Sequence, residues 1–382
     1  MSMEWVKRAP KNAILDYNFV DEKYLGTIDN PPSTVYEKRP LVNPKTGEKV
    51  EGLYTGWVIL NNPRAGNSYN LAMLKGAATG LCMAAQDKSV VAIVLTGAGD
   101  SFFCTGGNVK EYAEYFSGRP FDTQRYMALY WQILEFMYTS PKLVIRRVNG
   151  MSMGGGEEIS GMCDLTIASD NATFGQIGPV HGSAAVGGAL QFKPVCMTYE
   201  DAFDNTTSCE QWNAYKMFRK NYIYKVVPVF KQGDKFIRNP EVITDKWLDE
   251  TGEIVYGEFK TGEEREKALE LMKTLSKDQS LLDKAVDELV WQHANLYPGC
   301  LAMSYAVLRR WKRINFDFDR VPIMYWWSAM PFGEYDMGMT SFTSRKVTGS
   351  DVIDMIKYRQ MLAGGHPVDE EIFNEVMPKP KK

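Results

Sequence analysis

The sequence predicts an α/β fold with an inserted helical segment and a helical C-terminal region, and three observations lead there. Between residues 56 and 176, β-branched runs bounded by turn residues alternate with stretches long enough for helices, the pattern of strands joined by crossovers. Glycine-rich stretches fall at the ends of those runs, as at residues 106–107 and 154–156, where a crossover fold turns from strand to helix. After Val227-Pro228 the composition becomes charged, with helical spacing of its apolar residues.

In chain order, residues 1–53 are polar, proline-bearing and irregular, and read as an N-terminal extension of strand fragments joined by long loops. Residues 54–228 form the core. Its strands are predicted at 56–63, 89–99, 142–150, 164–170 and 172–176, with helices at 71–85 and near 122–138. Residues 229–290 form an inserted polar helical segment, opened by a capping-box pattern from Thr261 to Glu264 and continued by a second helix through 281–294. Residues 291–382 form a C-terminal helical region in which Trp311, Trp326 and Trp327 are expected to be packed, ending in a loose tail, MPKPKK. Nothing repeats at a fixed period.

Composition narrows the function. With 382 residues and 45% hydrophobic content the chain can bury a large core. Its net charge of −3 supplies no basic field, so nucleic acid is an unexpected partner. No apolar run reaches the roughly 18–20 residues that span a bilayer, and Met1–Pro10 lacks the apolar segment of a signal peptide. The six cysteines are scattered without metal-ligand or disulfide spacing, so free thiols in a reducing cytoplasm are expected, with no metal.

The chemistry concentrates in residues 149–176. Gly154, Gly155 and Gly156 follow an apolar strand and open a helix whose first turn carries Glu157 and Glu158. Without a Cβ the backbone can approach a ligand closely, and the unpaired amides of a helix start can face negative charge. An acid beside such donors can move a proton while an oxyanion is held.

The ordered segments LNNPRAGNSYN (60–70), FFCTGGNVKEY (102–112) and VNGMSMGGGEEISGMCDLTIASDNATFGQIGP (148–179) resemble the crotonase (enoyl-CoA hydratase/isomerase) superfamily. The resemblance implies a spiral of ββα turns binding acyl-CoA thioesters, with the thioester oxygen gripped by two amides as it becomes an enolate. Carried onto this sequence, those donors are Gly107 and Gly155. Arg64 and Ala65 match the segment touching the adenine and phosphates of coenzyme A, and the backbone of Thr105, Gly106 and Gly107 the part facing its pantetheine and adenine. For Arg64 an ordinary solvated arginine stays open as the alternative. Asn108 stands where the superfamily often has aspartate.

Hydratases of the superfamily hold one water between two glutamates. The first falls on Glu158, which leaves Glu157 for solvent or a salt bridge. The second would stand at 178, and that residue is Gly178. His181, three residues on, is one of only three histidines and titrates near neutrality; it is either the group that handles water, as in superfamily members hydrolysing β-diketones, or a structural histidine on a loop. The N-terminal segment, the insertion and the C-terminal EYDMGMTSFTSRKVTG resemble a subfamily of ring-opening hydrolases of cyclic acyl-CoA thioesters. That implies two additions of water, no cofactor beyond the coenzyme A of the substrate, and a homo-oligomer, trimer or hexamer. A plain hydratase or isomerase, and a non-catalytic acyl-CoA binder, remain open.

Overall fold

The computed structural model describes residues 18–329 and 333–380; the leader reading of Met1–Pro10 and the end of the C-terminal tail lie outside them. Of three sheets among the described residues, one joins Phe230–Gln232 to Lys235–Ile237 and Ser276–Lys277, and two are threaded by one spiral. The larger is ordered β1 (Ser33–Val42), β2 (Lys49–Asn61), β3 (Val90–Gly97), β5 (Leu143–Val148), β7 (Leu165–Ser169) and β10 (Lys225–Val227). All pairs are parallel except β1 against β2. The smaller is ordered β4 (Phe102–Cys104), β6 (Met151–Met153), β8 (Thr173–Gly175) and β9 (Trp212–Asn213). The chain therefore lays β3 then β4, β5 then β6, β7 then β8, one strand in each sheet per turn. These are the expected ββα turns.

Local chemistry explains the elements. Val90–Gly97 and Leu143–Val148 are buried almost throughout, as parallel strands covered on both faces must be, which is why they read as unbroken apolar runs. Asn70 caps the helix Leu71–Gln86 by accepting from the amide of Met73. The helix Pro120–Thr139 starts with proline, whose missing N–H costs nothing there. These two helices cover one face of the larger sheet. The other face packs Trp57, Ile59, Val94, Ile145 and Ile167 against Leu282, Val286, Leu289 and Val290 of the helix Ser280–Ala294.

Three expectations need correcting. The N-terminal segment is more than strand fragments, because Ser33–Val42 pairs along β2 as a full edge strand, its alternation obscured by Pro40 and three charged residues. The capping box does not form: Thr261 stands at the N-cap of Gly262–Met272 without a side-chain bond, and the positive φ of Gly262 turns the backbone just where the hydroxyl would reach. Of the three C-terminal tryptophans only Trp327 is packed; Trp311 and Trp326 are 67% and 51% exposed. Trp311 lies on the long helix Pro298–Ala329, whose outward face also shows Met303, Val307, Leu308, Ile314 and Phe318. Among the described residues no helix is long and apolar enough to cross a membrane.

Candidate active site

Parallel pairing of β4, β6 and β8 puts the C-terminal ends of three neighbouring strands side by side, the place where ligands bind in sheets with crossovers. Residues 105–107 leave β4, residues 154–158 leave β6, and residues 176–181 leave β8. Three motifs far apart in sequence thus meet around one cavity, lined by Thr105, Gly106, Gly107, Gly155, Glu158 and His181 among others.

The glycines make the approach possible. Gly154 has φ 52° and ψ −129°, a backbone that favours glycine, and it turns β6 into the short helix Gly155–Glu158. A Cβ at Gly106 would stand 3.2 Å from the Gly155 nitrogen, and one at Gly156 would overlap the Cys104 carbonyl, so the two loops are in backbone contact. Tyr69 pairs in parallel across Gly107, donating to the Gly106 carbonyl at 3.0 Å and accepting from the Asn108 amide at 2.9 Å. That pairing turns the amide of Gly107 itself away from Tyr69. Among the described residues, neither Gly107 nor Gly155 donates its amide to a backbone carbonyl.

Glu158 is 5% exposed, and its Oε2 accepts from the amide of Gly187. Burial pushes its carboxyl up to about 8. It is the only acidic residue lining the cavity among the described residues, and Gly178 lines the wall where the resemblance places a second acid. Glu157 points away from the cavity into a buried ion pair with Lys193 at 2.8 Å, and also accepts from Gln176 at 2.9 Å. Of the two expectations for Glu157, the salt bridge is the one observed. His181 ends the single-turn helix Gly178–His181, half-buried, with its ring edge-on to Phe342. Burial lowers its pKa, with Asp351 pulling it up and Arg345 down, so the imidazole is neutral at pH 7.

The residues expected to face coenzyme A are less concentrated. Thr105 and Gly106 line the cavity. Arg64 and Ala65 lie exposed on the turn Pro63–Ala65, outside the lining but next to it, because Thr105 donates its amide to the Gly66 carbonyl at 3.0 Å. Asn108 does not line the cavity. Its carboxamide oxygen caps Val109–Glu111, accepting from Lys110 at 3.0 Å and Glu111 at 3.2 Å, a structural task that asparagine performs well at a helix start.

Sequence reasoning missed the aromatic wall. Tyr69, Tyr112, Tyr126, Tyr130 and Trp327 all line the cavity. Tyr130 donates to the Gly155 carbonyl at 2.9 Å, and the hydroxyls of Tyr112 and Tyr126 are hydrogen-bonded to each other. The spacing of Tyr126 and Tyr130 on one helix face was the available signal. Among the described residues no cluster of three or more His, Cys, Asp or Glu side chains forms a metal site.

Residues 55–292 match the family described as enoyl-CoA hydratase/isomerase. The chain is similar over its whole length to proteins named 6-oxocyclohex-1-ene-1-carbonyl-CoA hydrolase. It is 46% identical to that of Syntrophus aciditrophicus, covering 100% of this chain and 99% of the relative. It is 40% identical to that of Geobacter metallireducens, covering 99% of each, and 41% identical to that of Thauera aromatica, covering 96% of each. In fold it is similar to an enoyl-CoA hydratase of Bacillus halodurans, with a TM-score of 0.58 and 14% identity over 80% of this chain and 99% of that one. An enoyl-CoA hydratase of Mycobacterium avium subsp. paratuberculosis superposes with a TM-score of 0.56 and 16% identity over 81% and 96%.

Proposed function

This chain belongs to the enoyl-CoA hydratase/isomerase family, and on that premise we propose that it hydrates 6-oxocyclohex-1-ene-1-carbonyl-CoA and then opens the ring with a second water, giving 3-hydroxypimeloyl-CoA. The observation that carries the reading is a cavity with one carboxyl, Glu158, and one imidazole, His181, in place of a pair of glutamates. Likeness along the entire chain to three hydrolases of that name supports the substrate.

Each water places negative charge on the thioester oxygen. In hydration, water adds to the carbon β to the thioester and the electron pair moves onto the thioester as an enolate. In ring opening, water adds to the ketone carbon; when its carbonyl re-forms as a carboxylic acid, the bond to the α carbon breaks and the same enolate appears. Amides at Gly107 and Gly155 would serve both, each such donor contributing about 2.7–4 kcal/mol to the transition state. Glu158 takes the proton of the first water and returns it to the α carbon. His181, neutral in the free protein, takes the proton of the second water and returns it to the α carbon released by cleavage. Coenzyme A enters as part of the substrate, its pantetheine arm along Thr105 and Gly106 and its phosphates toward Arg64 and Ala65.

In the proposed assembly the protein is a cytoplasmic homo-oligomer. The exposed apolar face of Pro298–Ala329 supports association with like subunits, and the cysteines, free among the described residues, suit a reducing compartment. The test is turnover of the cyclic enone thioester in isotopically heavy water, with labels counted in the product. Two oxygen labels with ring opening support the assignment; one label, or none, returns the protein to a plain hydratase or a binder. His181→Ala is expected to lose ring opening more than hydration, and equal retention of both activities would refute its part.

A further inference from the structure

We propose that Tyr112 and Tyr126 form a second donor site, distinct from the Gly107 and Gly155 amides, that binds the ring ketone oxygen and stabilises the alkoxide formed when water adds to that carbonyl. This deepens the ring-opening reading and rests on it.

Ring opening passes through two negative charges on two different oxygens. The enolate charge sits on the thioester oxygen, but the earlier tetrahedral intermediate carries its charge on the former ketone oxygen. Amides committed to the thioester cannot also hold that second oxygen. The two carbonyls flank one carbon atom, so the second set of donors must lie close beside the first.

The tyrosine hydroxyls lie there. A Cβ on Gly107 would overlap the Tyr112 hydroxyl, and one on Gly155 would overlap that of Tyr69. Both contacts are open only because residues 107 and 155 are glycine. The Tyr112 and Tyr126 hydroxyls share one hydrogen bond, and the Tyr69 hydroxyl interacts with both; a chain of three hydroxyls uses two of its three protons internally and leaves one for the ketone oxygen. Both side chains are buried and both line the cavity. Burial raises their pKa values, so they are hydroxyl donors throughout the neutral range.

The donors are also held still. The Tyr112 ring meets Tyr126, Trp327 and Phe116 edge-on, with centroids 5.6, 6.1 and 6.0 Å away, and Tyr126 stacks on Trp327 at 5.6 Å. A donor fixed before reaction needs no reorganisation when charge develops, which is the condition for strong stabilisation of an oxyanion. Tyr130 has a different task, its hydroxyl being committed to the Gly155 carbonyl.

In the step itself, water adds to the ketone carbon, its proton passes to His181, and the carbonyl electron pair moves onto the oxygen held by the Tyr112–Tyr126 pair. That pair of electrons then re-forms the carbonyl as the ring bond breaks, and the thioester enolate takes the proton back from His181 at the α carbon.

The test follows both products of the natural cyclic enone thioester with the full-length Tyr112→Phe protein. Ring opening should fall about 100-fold, in the range found for loss of one oxyanion donor. Hydration, in which the ketone oxygen shares only part of the enolate charge, should fall less than tenfold, so the hydrated cyclic ketone accumulates. If Tyr112→Phe does not fold, Tyr126→Phe removes the other half of the same pair and carries the same expectation. Equal loss of both steps, or unchanged ring opening, overturns the proposal. Wild-type protein that never releases the two-water product overturns instead the ring-opening assignment.

Discussion

At the scale of single residues the site turns on the contrast between two adjacent glutamates. Glu157 and Glu158 are both buried, yet Glu157 pairs with the Lys193 ammonium at 2.8 Å, whereas Glu158 forms no ion pair among the described residues and feels Lys193 only at longer range. Desolvation therefore dominates at Glu158 and lifts its carboxyl to about 8. A general base must be ionised before it can take a proton from water, and at pH 7 most copies of this one are protonated. The kcat/KM for hydration, which reports the free enzyme, is accordingly expected to rise about tenfold per pH unit below 8 and to level off above it. Glu158→Gln should lower hydration by about 10²–10⁴-fold across that range. A pH–rate profile levelling near pH 4–5, the ordinary carboxylate range, would contradict the role. The neighbouring imidazole contributes no opposing limb in that window, because burial lowers its pKa and it is already the neutral base.

At the scale of elements, the short helix Gly155–Glu158 is too brief to be held by its own hydrogen bonds. Its stability comes from what grips it. Lys193, on the helix Ala189–Cys196, bonds Glu157 at 2.8 Å and Asn205 at 2.6 Å, tying three elements together beneath the cavity. The same helix follows Gly187, whose amide holds Glu158. Lys193→Met would leave the Glu157 carboxylate buried without a cation, expected to cost about 3–5 kcal/mol in urea denaturation. The double change with Glu157→Gln should recover most of that loss, since no unpaired charge is left inside. Non-recovery would mean that the lysine stabilises through its packing alone.

At the scale of the whole molecule, the long helix Pro298–Ala329 packs one side on the core and turns a row of large apolar residues outward. Phe318 is 84% exposed and Met303 74%. A contiguous apolar face of this kind is unfavourable in water, and in the proposed oligomer a neighbouring subunit covers it. With the proposed oligomer, Trp311→Glu combined with Phe318→Asp should yield monomers in sedimentation velocity without loss of helical signal. An unchanged sedimentation coefficient would remove this face from the assembly.

Much of the fold was legible because parallel strands buried on both faces must be apolar along their length, so Val90–Gly97 and Leu143–Val148 announce themselves in a local reading. The convergence of Gly107, Gly155, Glu158 and His181 on one cavity was legible too, since glycine and a titratable group at fixed places after a strand mark the strand ends that meet there. The edge strand Ser33–Val42 was not, because half its pattern is set by the partner strand β2 rather than by its own residues. Nor could the sequence say whether Glu157 met solvent or a cation, that Asn108 would cap a helix, or that tyrosines from three stretches of chain would wall one cavity. Those outcomes depend on desolvation and contact between segments brought together by the adjacency of β4, β6 and β8, and no local pattern encodes the company a side chain keeps once the chain has closed around it.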